Sequence, residues 1–150
     1  MSRLTLKQAN TIINEALAKA GEMKIPPLTL VVLDDSGHIV AVQRQDGATM
    51  FRFEIALGKA WGAVAMGASS RSLARRAKEN PNFFGGLIAA SKGQMVPQPG
   101  GALIKDTKGN VLGAIGASGG AGAVAGTGGE DEACCVFGIG KAGLVADVAP

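Results

Sequence analysis

Tyrosine is absent from the 150 residues, tryptophan and histidine occur once each, and there are two cysteines. Each scarcity removes a class of protein. Cys134 and Cys135 are adjacent, so they make no disulfide framework. With no C-x-x-C spacing, and the single imidazole of His38 far away, they make no structural zinc site either, and no metal site is assigned. A serine-hydrolase triad fails on the same ground: Gly116-Ala-Ser118-Gly119 lacks the elbow spacing, and His38 would be the one base available. Aromatic residues are 4% of the chain and do not interleave with its basic residues. The Arg71, Arg75, Arg76, Lys78 group therefore reads as a solvated helix face, and no nucleic-acid partner is expected. No apolar run approaches the roughly 18 residues of a membrane span and no leader-like segment opens the chain, so a soluble, cytoplasmic protein without a membrane partner is expected.

What is abundant is glycine, 23 residues, within a composition that is 47% hydrophobic. A chain of this length can hide about two thirds of its unfolded surface, which suits one domain spanning 1–150. Its core should be Ala, Val, Ile and Leu packed against glycine backbone.

Thr5-Leu-Lys-Gln8 has the form of a capping box, and Leu6, Ala9, Ile13, Ala16, Leu17 and Ala20 recur at helical spacing, with Gly21 as the stop. A helix over 6–20 follows. After Pro26 and Pro27, two β-branched runs flank Asp34-Asp35-Ser36-Gly37 and predict a hairpin, with His38 exposed just past its turn. Residues 52–66 predict a second helix, with Ile55, Ala56, Lys59, Ala63 and Met66 on one face. A lysine on that face must snorkel out, meet a carboxylate, or reach a pocket whose ligand carries the negative charge. Ser70 is the expected cap of a helix over 71–79, and a short helix should cover 82–91. A short strand near Gln94, a Pro99-Gly-Gly101 corner, a hairpin turning at Asp106 to Gly109, and a last helix over 130–142 complete the chain. The order, α-ββ-αα-βββ-α, uses hairpins rather than βαβ crossovers and predicts an antiparallel α+β fold.

Gly120-x-Gly122-x-x-Ala125 matches a dinucleotide fingerprint in form, but Gly126, Gly128 and Gly129 would disrupt the helix that the fingerprint must open. Gly140-Lys141 is followed by Ala142, so it is no P-loop. Arg44 and Asp46, with Met50, Arg52 and Lys59, form a candidate rim of basic excess suited to a carboxylate. Glycines at 100 and 101 let a ligand approach the backbone closely.

Met50-Phe-Arg-x-x-Ile-Ala-x-Gly-Lys-Ala60, Ser70-Arg71, Pro81 with Phe83, Pro99-Gly-Gly101, Asp106 to Gly109, Gly113-Ala-Ile-Gly116, Ser118-Gly119 and Asp131-Glu132 occur in this order. Together they resemble the GlcG/HbpS family, the haem-degrading domain family. The resemblance implies a profilin-like α/β sandwich, a central antiparallel sheet of about five strands flanked by helices, and assembly into homo-oligomers. It also implies haem or a related tetrapyrrole as ligand. The chain departs from the family in its long Gly/Ala-rich stretch from Gly120 to Gly129, where an extended mobile loop, a lid or an assembly contact, is expected.

Two readings follow. In the first, a small-molecule-binding protein, Arg44, Arg52 and Lys59 neutralise a ligand's carboxylates, and Met50, Pro99, Gly100, Gly101, Ser118 and Gly119 line the site. Iron would be met by Met50, Met66, Met95 or a cysteine, or by no strong ligand, since His38 points to solvent. In the second, an enzyme acting on a small organic acid, Lys59, Asp46, Asp131 or Glu132 is the acid/base and Arg52 orients the substrate. A third alternative is an accessory subunit whose second helix, through Ala56, Ala60 and Ala63, packs on a partner.

Overall fold

The structure, a computed structural model, describes residues 3–120 and 129–150. Helix α1 (Leu6–Glu22) opens with the expected capping box: Gln8 N donates to Thr5 Oγ1 at 3.0 Å and Thr5 N to Gln8 Oε1 at 3.0 Å. Its buried stripe is Ala9, Ile12, Ile13, Ala16 and Ala20, while Leu6 faces solvent. The stop is not Gly21, which stays helical. Lys24 takes the left-handed conformation (φ 54), and Ile25 N reaches back to Ala20 O at 3.0 Å, closing the end in a Schellman pattern that seats Ile25 against the core.

Strands β1 (Thr29–Asp34) and β2 (Ile39–Arg44) form the first hairpin, and β3 (Gly101–Lys105) and β4 (Val111–Ser118) the second. Helix α2 (Phe51–Met66) lies between them in sequence, followed by α3 (Ser70–Glu79) and α4 (Pro81–Ala90). Helix α5 (Gly129–Lys141) and a short β5 (Val145–Asp147) end the chain. The sheet order is β2-β1-β4-β3-β5, antiparallel throughout. An α+β domain with a five-stranded antiparallel sheet between helices is thus the observed architecture.

Strand alternation divides the core. Leu30, Val32, Ile115 and Ala117 face the layer that contains Ile12 and Ile13 of α1 and Cys135 and Ile139 of α5. Val31, Leu33 and Ala114 face Ala56, Ala60 and Ala63 of α2. Each fully buried Ile or Leu contributes about 1.5–3 kcal/mol relative to exposure. The α2 layer uses alanine because the helix sits almost on the sheet: a Cβ on Gly116 would stand 2.0 Å from Ala56 O. A smaller cluster, Leu73, Phe84 and Met95, anchors α3 and α4.

Two local expectations change. The cap of α3 is Ser69, whose Oγ accepts from Ser72 N at 3.1 Å, and this frees Ser70 for a different task. The segment near Gln94 is not a strand, because Val96 N bonds Gly58 O at 3.2 Å on α2 and Met95 is buried beside Leu73. The free edge of β3 is taken instead by β5, through Leu103↔Asp147 to Lys105↔Val145. Of the expected Gly120–Gly129 loop, residues 121–128 lie outside the described residues. Among the described residues, no helix is long and apolar enough to cross a membrane.

Candidate functional site

The close seat of α2 on β4 carries Lys59 and Arg52 to the end of that strand. Lys59 Nζ donates to Ala117 O at 2.8 Å and to Asp131 Oδ2 at 3.4 Å, and the two side chains are 6% and 3% exposed. Asp131, in the first turn of α5, also accepts from Gly120 N at 3.0 Å. The Pro99-Gly-Gly101 corner closes over this pair: Gly100 has φ 118, and a Cβ there would lie 2.6 Å from Lys59 Nζ. No side chain fits at that position. Gly101 is held by Ser70, whose Oγ accepts from Gly101 N at 2.8 Å and donates to Gly101 O at 3.1 Å. Beside them Arg71 forks onto Glu132, with Nε 3.1 Å from Oε2 and the second nitrogen on Oε1.

Burial drives the electrostatics. It pushes the Lys59 ammonium below its usual 10.5, against the pull of Asp131, and pushes Asp131 above the usual carboxylate value, against Lys59 and the Gly120 amide. Burial also raises Cys134 to about 11 and Cys135 well beyond its normal range. Both thiols are buried, and Cys135 Sγ lies 3.8 Å from Gly100 O.

Arg52 contrasts with Lys59. Half-buried, its Nη1 lies 3.4 Å from Ser118 Oγ, and among the described residues it forms no ion pair with a carboxylate. Next to it, at the start of α2, Met50 is 86% and Phe51 66% exposed. Ser118 ends β4 at this rim with Gly119 following it, and Pro99 is half-buried at the corner. Arg44 belongs to the same side of the sheet, since it pairs with Thr29 and Thr29 pairs with Ser118; its Nη1 donates to Ala48 O at 3.0 Å.

Asp46 does not join Lys59. It lines a separate open groove of about 450 Å³ with Leu17, Ile25, Pro27, Gln43, Arg44 and Gln45. Met95 is buried in the α3–α4 cluster, and Met66 lines a small cleft there, leaving Met50 as the exposed sulfur among the expected iron ligands. His38 sits on the Asp34 turn, at the opposite end of β1 from Ser118, about 17 Å away at the usual rise per residue. It is exposed, as expected from its turn. Among the described residues, no group of acidic, His and Cys side chains could hold a metal ion.

One residue escaped the sequence reading. Thr29 is fully buried, and its Oγ1 has no hydrogen-bond partner among the described residues. A threonine at the start of a β-branched strand carries no local signal beyond strand preference.

Sheet, helical layers and a cationic rim define a small α+β sandwich domain with a polar site at the strand ends. The chain belongs to the HbpS-like haem-degrading protein family, whose model matches residues 4–140. It is 28% identical over 120 residues to an uncharacterised 15.0 kDa protein of Citrobacter freundii, covering 80% of this chain and 82% of that one. It is 29% identical over 118 residues to the corrinoid adenosyltransferase PduO of the same organism, 78% of this chain but 34% of PduO, so it spans about a third of that protein. Among solved structures, the PduOC–haem complex superposes with TM-score 0.83 at 22% identity, covering 97% of this chain and 99% of that one, which shows the shared fold. HbpS superposes with TM-score 0.76 at 26% identity, covering 93% and 90%.

Proposed function

We propose that the chain binds haem or a related carboxylate-bearing tetrapyrrole on the rim at the start of α2. The observation that carries this is Arg52, a cation left without a carboxylate partner among the described residues, beside the exposed Met50 and Phe51. A flat apolar acid needs this combination: apolar surface for its macrocycle and a guanidinium for its propionates. Met50 also presents a thioether within the same patch, where His38 is out of reach. Family membership and the haem held by the PduOC structure support the same ligand class.

When bound, haem supplies iron chemistry and a visible absorption band. The chain's own contribution is to hold carboxylates at Arg52 and Arg44, to present Met50, and to keep Lys59 and Asp131 out of solvent behind Gly100. Met50 and Phe51 are solvent-facing in one copy, so a second copy closing over the ligand is part of this reading. The free, buried Cys134 and Cys135 fit a cytoplasmic setting.

Titration with haemin, followed by visible absorption, tests the proposal. An Arg52→Ala, Met50→Ala variant should bind at least about tenfold more weakly, the loss of one charge-assisted contact, while His38→Ala binds as the parent does. Equal binding by the double variant would end this reading. Light scattering with and without haemin tests the assembly.

A second reading, acid/base chemistry on a small organic acid, draws on the opposed displacement of Lys59 and Asp131 toward their neutral forms. Turnover of a hydroxy, oxo or unsaturated acid that disappears in Asp131→Asn would favour it. Thermal stabilisation without turnover across the panel would favour binding alone.

A further inference from the structure

Three residues of neighbouring strands stand in one row: Arg44 of β2 opposite Thr29 of β1, and Thr29 opposite Ser118 of β4. Directly opposite residues share a face, with Cβ atoms about 4.5–5.5 Å apart. The face is the one toward α2, because Val31, two residues along β1 from Thr29, packs on Ala56 and Ala60, and Gly116, two residues before Ser118, abuts Ala56 O. Arg52 on α2 completes the row from above, with Nη1 3.4 Å from Ser118 Oγ. The set is two guanidiniums and two hydroxyls, and no carboxylate pairs with either arginine among the described residues.

Thr29 makes this more than a basic surface. Its side chain is fully buried, and its hydroxyl oxygen is without a partner among the described residues, although burying a hydroxyl without a hydrogen bond is costly. Nothing in strand geometry requires a hydroxyl there; valine has the same shape and the neighbouring positions 31 and 32 are valine. We infer that the row Arg44, Thr29, Ser118, with Arg52 above it, is a carboxylate-binding subsite in which the Thr29 hydroxyl donates to one ligand oxygen and the guanidiniums hold the other. In this proposal Arg44, exposed and held by a single hydrogen bond to Ala48 O, moves to admit the ligand. This deepens the tetrapyrrole reading by naming the atoms that meet a propionate. It rests on that reading only for the rest of the ligand, since any small carboxylic acid presents the same group.

The test compares the parent with Thr29→Val and Thr29→Ser. Benzoate, inorganic phosphate, haemin and haemin dimethyl ester are each titrated, by calorimetry or by absorption. Thr29→Val should melt at or above the parent temperature without ligand, because it removes an unpartnered hydroxyl, and it should bind benzoate roughly ten- to a hundredfold more weakly. Thr29→Ser, which keeps the hydroxyl, should bind benzoate nearly as the parent does. Phosphate bound more tightly than benzoate would overturn the assignment to carboxylates. Benzoate bound equally by the parent and Thr29→Val would overturn the subsite. If haemin and its dimethyl ester also bind alike, and alike to Thr29→Val, the subsite falls while the tetrapyrrole reading stands. Benzoate binding that depends on Thr29, with no haemin spectrum, upholds the subsite and removes haem as the ligand.

Discussion

Helix α2 sends two cations to the end of β4, and they meet opposite fates. Lys59 reaches Ala117 O and Asp131 and is sealed behind Gly100, whereas Arg52, two turns earlier, reaches the Ser118 hydroxyl with no acid among the described residues to neutralise it. The difference lies in what faces each. The first turn of α5 delivers Asp131 over Lys59 and Glu132 to Arg71, so those charges are consumed by the fold. Beside Arg52 stand exposed Met50 and Ser118, whose strand neighbour Thr29 has a hydroxyl without a partner among the described residues. Capacity to bind remains where the structure leaves charge and hydrogen-bonding potential unspent.

The largest expected effect comes from breaking the sealed pair. Lys59→Met strands Asp131 in the interior and should cost about 3–5 kcal/mol in urea unfolding, whereas Lys59→Met with Asp131→Leu should recover most of that loss, because an apolar pair of similar volume avoids desolvation. If the double variant is no better than the single one, the pair is not a closed structural unit.

Arg71→Ala should be milder, about 1 kcal/mol in the same assay, since Arg71 is 48% exposed although Glu132 is 7% exposed. A loss as large as that of Lys59→Met would erase the distinction between the sealed and the half-open ion pair.

The pH dependence sharpens the contrast further. At the sheet edge, a hydrogen bond from Lys105 at 2.7 Å holds Asp147 below its usual 3.8, opposite in direction to Asp131. A lowered folded value means the unfolded chain takes the proton first. The contribution of Asp147 is therefore full above the unfolded value and is lost as pH falls through the folded one. Asp147→Asn should trail the parent by less than about 1 kcal/mol at pH 6, and the gap should close on acidification. For Asp131 the raised folded value gives the reverse sign, with stability favoured as pH falls from the folded value toward the unfolded one.

The smallest stability effect is expected at Arg52. Arg52→Ala should stay within about 0.5 kcal/mol of the parent in unfolding, since its side chain is half-exposed and its contact with Ser118 is a long one at 3.4 Å, while losing ligand affinity. A large loss of stability there would mean that Arg52 is spent on the fold as Lys59 is.

Much of this was legible in particular residues. The Thr5–Gln8 box, the β-branched runs around Asp34 to Gly37, and the placement of Lys59 on the apolar side of α2 depend on spacing alone, and the structure has each of them. Ser70 was misread as a cap because a serine beside a serine gives two registers, and only the docking of Gly101 onto Ser70 separates them. The strand near Gln94 was misread because its β-branched valine is consistent with an edge; α2 claimed its amide first. Residues 121–128, expected as part of an extended loop, lie outside the described residues.

By itself, the sequence determined the helices, the two hairpins and the presence of a cation on the buried side of α2, because these follow from interactions within a few residues. The tertiary structure decided that Asp131, 72 positions away, would neutralise Lys59 and that no carboxylate among the described residues would neutralise Arg52. It also decided that Thr29 would stand between Arg44 and Ser118, and that β5 rather than residues near Gln94 would close the sheet. Partners for buried charges and hydroxyls are chosen by packing between distant segments, and desolvation makes that choice energetically large without leaving a mark in local periodicity.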